Sequence, residues 1–203
     1  VNLGKSKITP LEDAHEDYGA TMRALWKFTD VFVVNVSSPN TPNLRELQND
    51  EGLIRILEKC HTVNSELALG GEGKPILVKV APDLTDQQLE HVVNTARSSG
   101  ASGIVLSNTT LVRPDSTSSK EEKIFAEQGG LSGRPLLNRS TEMIRIVSKM
   151  TNGEWPIVGV GGVMSAEDAW AKIVAGASLV QAYSGFVFEG PSLTKAVVHG
   201  IHK

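Results

Sequence analysis

Apolar positions fall in two alternating patterns along this chain. Short continuous apolar runs of strand length recur at Val31–Val34, Pro75–Ala81 (PILVKVA), Gly103–Asn108 (GIVLSN), Pro156–Gly162 (PIVGVGG) and Ser178–Tyr183 (SLVQAY). Runs apolar on both faces belong to strands covered on both sides, as in a parallel sheet. Between them the period changes to that of a helix. Ala14, Tyr18, Met22 and Leu25 share one face of Asp13–Trp26, and Leu53, Ile56, Leu57, Cys60, Val63 and Leu67 one face of Glu51–Leu67. Leu89, Val92, Val93 and Ala96 follow a Thr85/Gln88 capping box. Met143, Ile144, Val147 and Met150 mark the next helix. Ala169, Trp170 and Ile173 follow a Ser165/Asp168 box, and a last helix begins near Ser192. Val1–Lys5 reads as the end of a strand whose beginning lies outside the sequence.

The order strand, helix, strand, helix leaves two α/β architectures, a doubly wound sheet or a (β/α)8 TIM barrel. The dinucleotide-binding fingerprint fails after the fourth run, because Gly159 and Gly161 are followed by Met164 where the third glycine belongs. A barrel remains, and we expect an incomplete one: five full strands and the stub at Asn2 are present, with the first two strands and most of the third absent. The whole of 1–203 is expected to be one catalytic barrel domain, with sheet edges that need further chain to cover them.

The chain carries 20 basic and 23 acidic residues, net −3, with no Lys/Arg-rich run, so a nucleic-acid partner is not expected. No apolar stretch approaches the roughly 20 residues that cross a bilayer. Cys60 is the single cysteine and sits at a core spacing, reading as filler rather than nucleophile. His15, His61, His91, His199 and His202 are scattered, so no metal site is expected.

Chemistry collects where the strands end. In a barrel those ends share one rim. The rim set is Asn2, Asn35, Ser38, Asn40, Lys79, Asn108, Thr109, Ser132, Gly133, Gly161, Gly162, Tyr183 and Ser184. It contains no carboxylate pair, which argues against glycosidase chemistry. Its amides and hydroxyls suit a flat polar heterocycle. Gly161-Gly162 and Tyr183-Ser184-Gly185, on the last two strands, suit a phosphate, although glycine at a tight βα turn is the plainer explanation of each alone. Lys79 stands among valines and needs an anionic or strongly accepting partner, either a structural ion pair or a bound ligand. The polar stretch Pro114–Gln128 reads as a long loop, fit for a mobile lid or a partner contact.

Six segments together resemble the class 2 dihydroorotate dehydrogenases: NVSSPNTPNLRELQ at Asn35–Gln48, ILVKVAPDL at Ile76–Leu84, SNTT at Ser107–Thr110, GGLSGRPL at Gly129–Leu136, and PIVGVGGV with AGASLVQAYSGF. The resemblance is collinear over essentially the whole chain. It implies an FMN-containing barrel that oxidises dihydroorotate to orotate in pyrimidine synthesis and passes the electrons to a membrane quinone. It makes Ser38 the catalytic base, with cysteine expected there in class 1, and Lys79 a second catalytic group at the flavin. Asn35, Asn40, Asn108 and Thr109 become substrate contacts. Asn2, Asn35, Lys79, Ser107, Ser132, Gly133, Gly161, Gly162, Tyr183 and Ser184 become flavin contacts, with Gly162, Tyr183 and Ser184 at the phosphate. It further implies peripheral attachment, through an amino-terminal segment not present here, to the cytoplasmic face of a bacterial inner membrane, or to the mitochondrial inner membrane as the alternative. Tyr183–Phe186 favours bacterial members. Outside this family, a sugar-phosphate isomerase or synthase barrel would account for the glycine turns but not for Lys79 or NVSSPNT. An inactive fragment of a flavin barrel is the other alternative.

Overall fold

Six short strands form one parallel sheet in the computed structural model, which describes residues 1–201. They are β1 (Asn2–Leu3), β2 (Phe32–Asn35), β3 (Ile76–Val80), β4 (Gly103–Leu106), β5 (Ile157–Val160) and β6 (Leu179–Gln181). Eight helices connect and follow them: α1 (Ala14–Leu25), α2 (Asp50–Ala68), α3 (Asp86–Ser98), α4 (Ser119–Phe125), α5 (Leu137–Met150), α6 (Ala166–Val174), α7 (Ser184–Glu189) and α8 (Ser192–Ile201).

Two observations decide between the two architectures. Strand order in space is the order in sequence, β1 to β6, with no reversal point. A doubly wound sheet reverses, and a barrel does not. The layers are also one-sided. Phe32, Val34, Ile76, Val78, Val80, Ile104, Leu106 and Ile157 share a core with Tyr18, Met22, Leu53, Leu57, Leu89, Val93, Ile144 and Val147 from α1, α2, α3 and α5. The alternate residues Val33, Leu77, Val105 and Val158 form a separate small cluster, joined by Val160. Because successive strand residues face opposite sides, the helices cover one face and the strands line an interior with the other. This is an arc of a (β/α)8 barrel.

Local signals set the element ends. Thr85 and Gln88 form the full reciprocal capping box of α3. At α6 the box is altered. Ser165 accepts from the Asp168 N–H, but the Asp168 carboxylate reaches past it to the N–H of Met164 at 3.0 Å. Burial pushes the Cys60 thiol up to about 12, as core filler requires.

Three sequence expectations are corrected. Pro114–Gln128 is not an open loop, since it contains α4, capped by Ser118. Arg113 anchors the excursion by donating to the carbonyls of Thr110, Leu111, Phe125, Glu127 and Gly129. Trp170 lies on the outside of α6 at 49% exposure rather than in the core. The α7 helix lies ahead of the last helix expected near Ser192, in a stretch for which no helix was expected.

Candidate active site

The inner-face alternation carries polar residues upward from the small valine and leucine cluster. Asn35 follows Val33 on β2 and Lys79 follows Leu77 on β3, and the two are register partners. Past the ends of β3, β4, β5 and β6 the chain opens into a cleft. Lys79, Ser107, Asn108 and Thr109 line it on one side, Ser132, Gly133, Gly161 and Gly162 across it, and Tyr183 and Ser184 close it. Ten of the residues singled out in the sequence therefore share one wall-to-wall space.

Lys79 is the one charged side chain lining that space among the described residues. Burial alone pushes its ammonium pKa down, and no carboxylate offsets the cost. It makes no ion pair among the described residues. A desolvated cation without a counter-charge needs an acceptor from a ligand.

The glycines have a geometric reason to be glycines. Gly133, Gly161 and Gly162 take φ of +85°, +119° and +77°, a region that side chains disfavour. A β-carbon on Gly162 would also sit 2.5–2.6 Å from the backbone N and Cα and the Cβ of Leu137. The turn after β5 thus presses against the start of α5, and the N–H groups of Gly161 and Gly162, both residues of the cleft lining, have no protein acceptor among the described residues. Ser132 and Ser184 hydroxyls meet at 2.9 Å across the same end.

Asn35, Ser38 and Asn40 do not line the cleft: Asn35 is bonded to its wall through Asn108, and Asn40 lines a neighbouring hollow with Lys7, Pro39 and Arg113. Asn35 Oδ1 accepts from the Ser37 N–H at 3.2 Å, the Ser37 hydroxyl at 2.8 Å and Asn108 Nδ2 at 3.3 Å. The backbone donor fixes which end of the Asn35 amide is oxygen, so its NH2 is left to face a ligand acceptor. Asn108 is fixed likewise, its Oδ1 accepting from the Thr109 N–H at 2.8 Å. Asn108 belongs to both groups and joins them. The buried Tyr18 hydroxyl holds the Asn35 carbonyl from behind at 2.8 Å. The Ser38 hydroxyl accepts from the Asn40 N–H at 3.2 Å. Asn2 stands apart, exposed on β1 and in register with Val33.

Residues the sequence reading did not single out tie these loops together. Arg45 donates to the carbonyls of Ser37 at 3.1 Å and Thr109 at 3.0 Å, and to Asp83 at 2.7 Å. Asp83 also accepts from the Thr110 hydroxyl and the Leu111 N–H. Three strand-end loops are locked by one guanidinium. The signal available was an arginine inside the NVSSPNTPNLREL stretch with no helical face of its own.

No three His, Cys, Asp or Glu side chains converge on a metal-sized site among the described residues, and His202 lies outside them. No helix among the described residues is long and apolar enough to cross a membrane.

Comparison with known proteins places this geometry. The family model described as dihydroorotate dehydrogenase matches residues 1–203. A dihydroorotate dehydrogenase (quinone) of Synechococcus elongatus is 47% identical over 205 residues, covering 99% of this chain and 53% of the relative. That of Deinococcus radiodurans is 48% identical over 207 residues, covering 100% and 54%. Among solved structures, DHODH of Eimeria tenella in complex with ferulenol superposes with a TM-score of 0.90 at 34% identity, over 99% of this chain and 56% of that one. The chain thus spans about half the length of the curated relatives it matches. It belongs to the dihydroorotate dehydrogenase family, in its class 2 branch.

Proposed function

We propose that these residues form the flavin-binding and much of the substrate-binding surface of an enzyme that oxidises dihydroorotate to orotate and delivers the electrons to a quinone. The observation that carries this reading is Lys79, a desolvated ammonium without a protein partner at the floor of a cleft walled by amides, hydroxyls and positive-φ glycines. FMN fits such a donor set: a phosphate for the N–H groups of Gly161, Gly162 and Ser184, and a ring edge of acceptors for Lys79. When bound, FMN supplies the hydride acceptor.

The chain's own residues have three tasks. Lys79 and Asn35 present donors to the acceptor edges of ring and substrate. Asn40, Asn108 and Thr109 hold the pyrimidine and its carboxylate, so that the carbon losing hydride and the carbon losing a proton are fixed together. Ser38 takes the proton from C5. A serine hydroxyl is a weak base, so it needs an onward path for that proton. Ser107, Ser132, Gly133 and Tyr183 complete the cofactor wall, while Asn2 on β1 stands outside the cleft and would meet the flavin only as an outlying contact. We assign the molecule to the cytoplasmic face of a bacterial inner membrane, attached peripherally through a segment amino-terminal to these residues.

The test is an anaerobic visible spectrum of the full-length protein before and after dihydroorotate is added. A flavin band that bleaches is the expected result. A band that persists overturns the substrate, and no band overturns the cofactor.

A further inference from the structure

Behind the glycine turn lies a charged group that the proposed reaction does not use. Lys172 of α6 is fully buried between α5 and the end of β5. Its ammonium donates to Ser140 Oγ at 2.6 Å, Thr141 Oγ1 at 2.9 Å and the Leu137 carbonyl at 3.4 Å, all neutral acceptors. With its oxygen engaged by the ammonium, the Ser140 hydroxyl has one hydrogen to donate and two carbonyls in reach, Gly161 at 3.1 Å and Leu137 at 3.4 Å; Gly161 is the nearer, and Leu137 already accepts from the Lys172 ammonium and the Thr141 hydroxyl. The Gly161 carbonyl shares a planar peptide unit with the N–H of Gly162, which points the opposite way across a trans peptide. Gly162 lines the cleft, and its N–H has no protein acceptor among the described residues.

We infer that Lys172 is a positioning residue for the phosphate of the bound flavin, acting through Ser140 to orient and polarise the Gly161–Gly162 peptide whose N–H meets the anion. The inference rests on the flavin reading above and adds the source of the charge. A chain of hydrogen bonds that ends on a cation polarises each member toward the far end, most strongly where water is excluded. The two charges facing Lys172 are Asp168 on its own helix and Arg145 on α5. Asp168 is committed to the Met164 N–H and Arg145 to Glu142 at 3.0 Å, so neither bonds the ammonium. Burial pushes the Lys172 pKa down to about 8, with Asp168 raising it and Arg145 lowering it. An arriving phosphate dianion favours the protonated form, so affinity is full below that value and declines as pH rises through it.

The experiment compares FMN with riboflavin, which has the same ring and no phosphate, by flavin fluorescence on the full-length apoprotein. Lys172→Met keeps the length of the side chain and removes its charge. FMN should bind about tenfold more weakly, the scale of one charge acting through protein rather than by contact. Riboflavin should bind as before. Ser140→Ala, which leaves the ammonium in place, should give a smaller loss of the same selectivity. In the unaltered protein the FMN-to-riboflavin affinity ratio should fall between about pH 7 and 9, roughly one pH unit either side of the ammonium's value of about 8. An unchanged ratio in the variants, equal losses of both flavins, or a ratio flat with pH overturns the role of Lys172. Should the unaltered protein bind neither flavin, the cofactor reading falls and this inference with it.

Discussion

Replacing Lys79 by methionine should make the apoprotein more stable and the flavin less tightly held. In most buried lysines the two effects have the same sign, because the side chain has a protein partner to lose. Here burial is the whole cause of the depressed pKa. Exchanging a buried charge for an apolar side chain of similar length is neutral or stabilising by about 1–4 kcal/mol, and half-burial puts Lys79 near the lower end, about 1–2 kcal/mol. The melting temperature of a domain this size should then rise by roughly 2–4 °C per kcal/mol. The pH dependence has a definite sign. The folded pKa lies below the unfolded value of 10.5, so between the two the unfolded chain binds more protons and stability climbs with pH. The variant should lose that part of the climb while keeping the part due to Lys172, which begins near 8. Against FMN, one charge-assisted hydrogen bond is worth about 1.5–3 kcal/mol, or roughly 10- to 150-fold in affinity. Thermal unfolding of the apoprotein at several pH values and flavin fluorescence titration measure both. A destabilised apoprotein would show that Lys79 has a structural partner, and an unchanged FMN affinity would show that the cleft takes its anion elsewhere.

Three further substitutions probe the rest of the site. Gly162→Ala should cost about 2–4 kcal/mol, since it adds a positive-φ penalty to an overlap with Leu137 backbone that no rotamer relieves; denaturant unfolding measures it, and a loss under 1 kcal/mol would contradict the close approach. Arg45→Met should remove about 2–3 kcal/mol of charge-assisted hydrogen bonding to Ser37, Thr109 and Asp83. It should raise the KM for dihydroorotate more than the Kd for FMN, whereas equal changes would mean that the guanidinium does not act on the Ser37–Asn40 loop in particular. Ser38→Ala loses one hydrogen bond from the Asn40 N–H, so stability should move by less than about 1 kcal/mol. Flavin reduction by dihydroorotate should slow at least about 100-fold in stopped-flow absorbance, and an unchanged rate would remove the base assignment.

The fold was legible because each strand is apolar on both faces while each long helix is apolar on one, and the switch of period marks every βα unit. The elements that escaped lack that contrast. None of the residues of α4 is buried, so no stripe marks it, and its order comes from Ser118 and from five backbone carbonyls gathered by Arg113. Short and glycine-flanked, α7 reads locally as a turn. Trp170 was placed inward because its neighbours Ala169 and Ile173 are, yet it faces out from α6. Much of the cleft was legible for a topological reason, since strand ends in a barrel share one rim, yet Asn2, Asn35, Ser38 and Asn40 fall outside its lining. Positioning groups behind that rim are invisible to the rule. Lys172 in AEDAWAKIV looks like an ordinary surface lysine, and only packing of α6 on α5 shows that no water reaches it.

Charge placement links these observations. Two arginines near the rim are matched by carboxylates, Arg45 with Asp83 at 2.7 Å and Arg139 with Asp86 at 2.8 Å, while Arg113 is spent on backbone carbonyls. On the cleft side the matching stops. Lys79 on the cleft floor and Lys172 behind the glycine turn are both desolvated, and neither forms an ion pair among the described residues. Lys79 has no carboxylate acting on it, and Asp168, which faces Lys172, offsets only part of its burial and does not bond it. A fold that leaves both unmatched bears a standing electrostatic cost in its empty form. That cost turns into affinity when a ligand brings negative charge to two places, a phosphate at the Gly162 N–H and an acceptor-rich ring edge at Lys79. On the proposed flavin reading, the separation of the two lysines, one reached by contact and one through a peptide group, would select a ligand with both features over a simple phosphate.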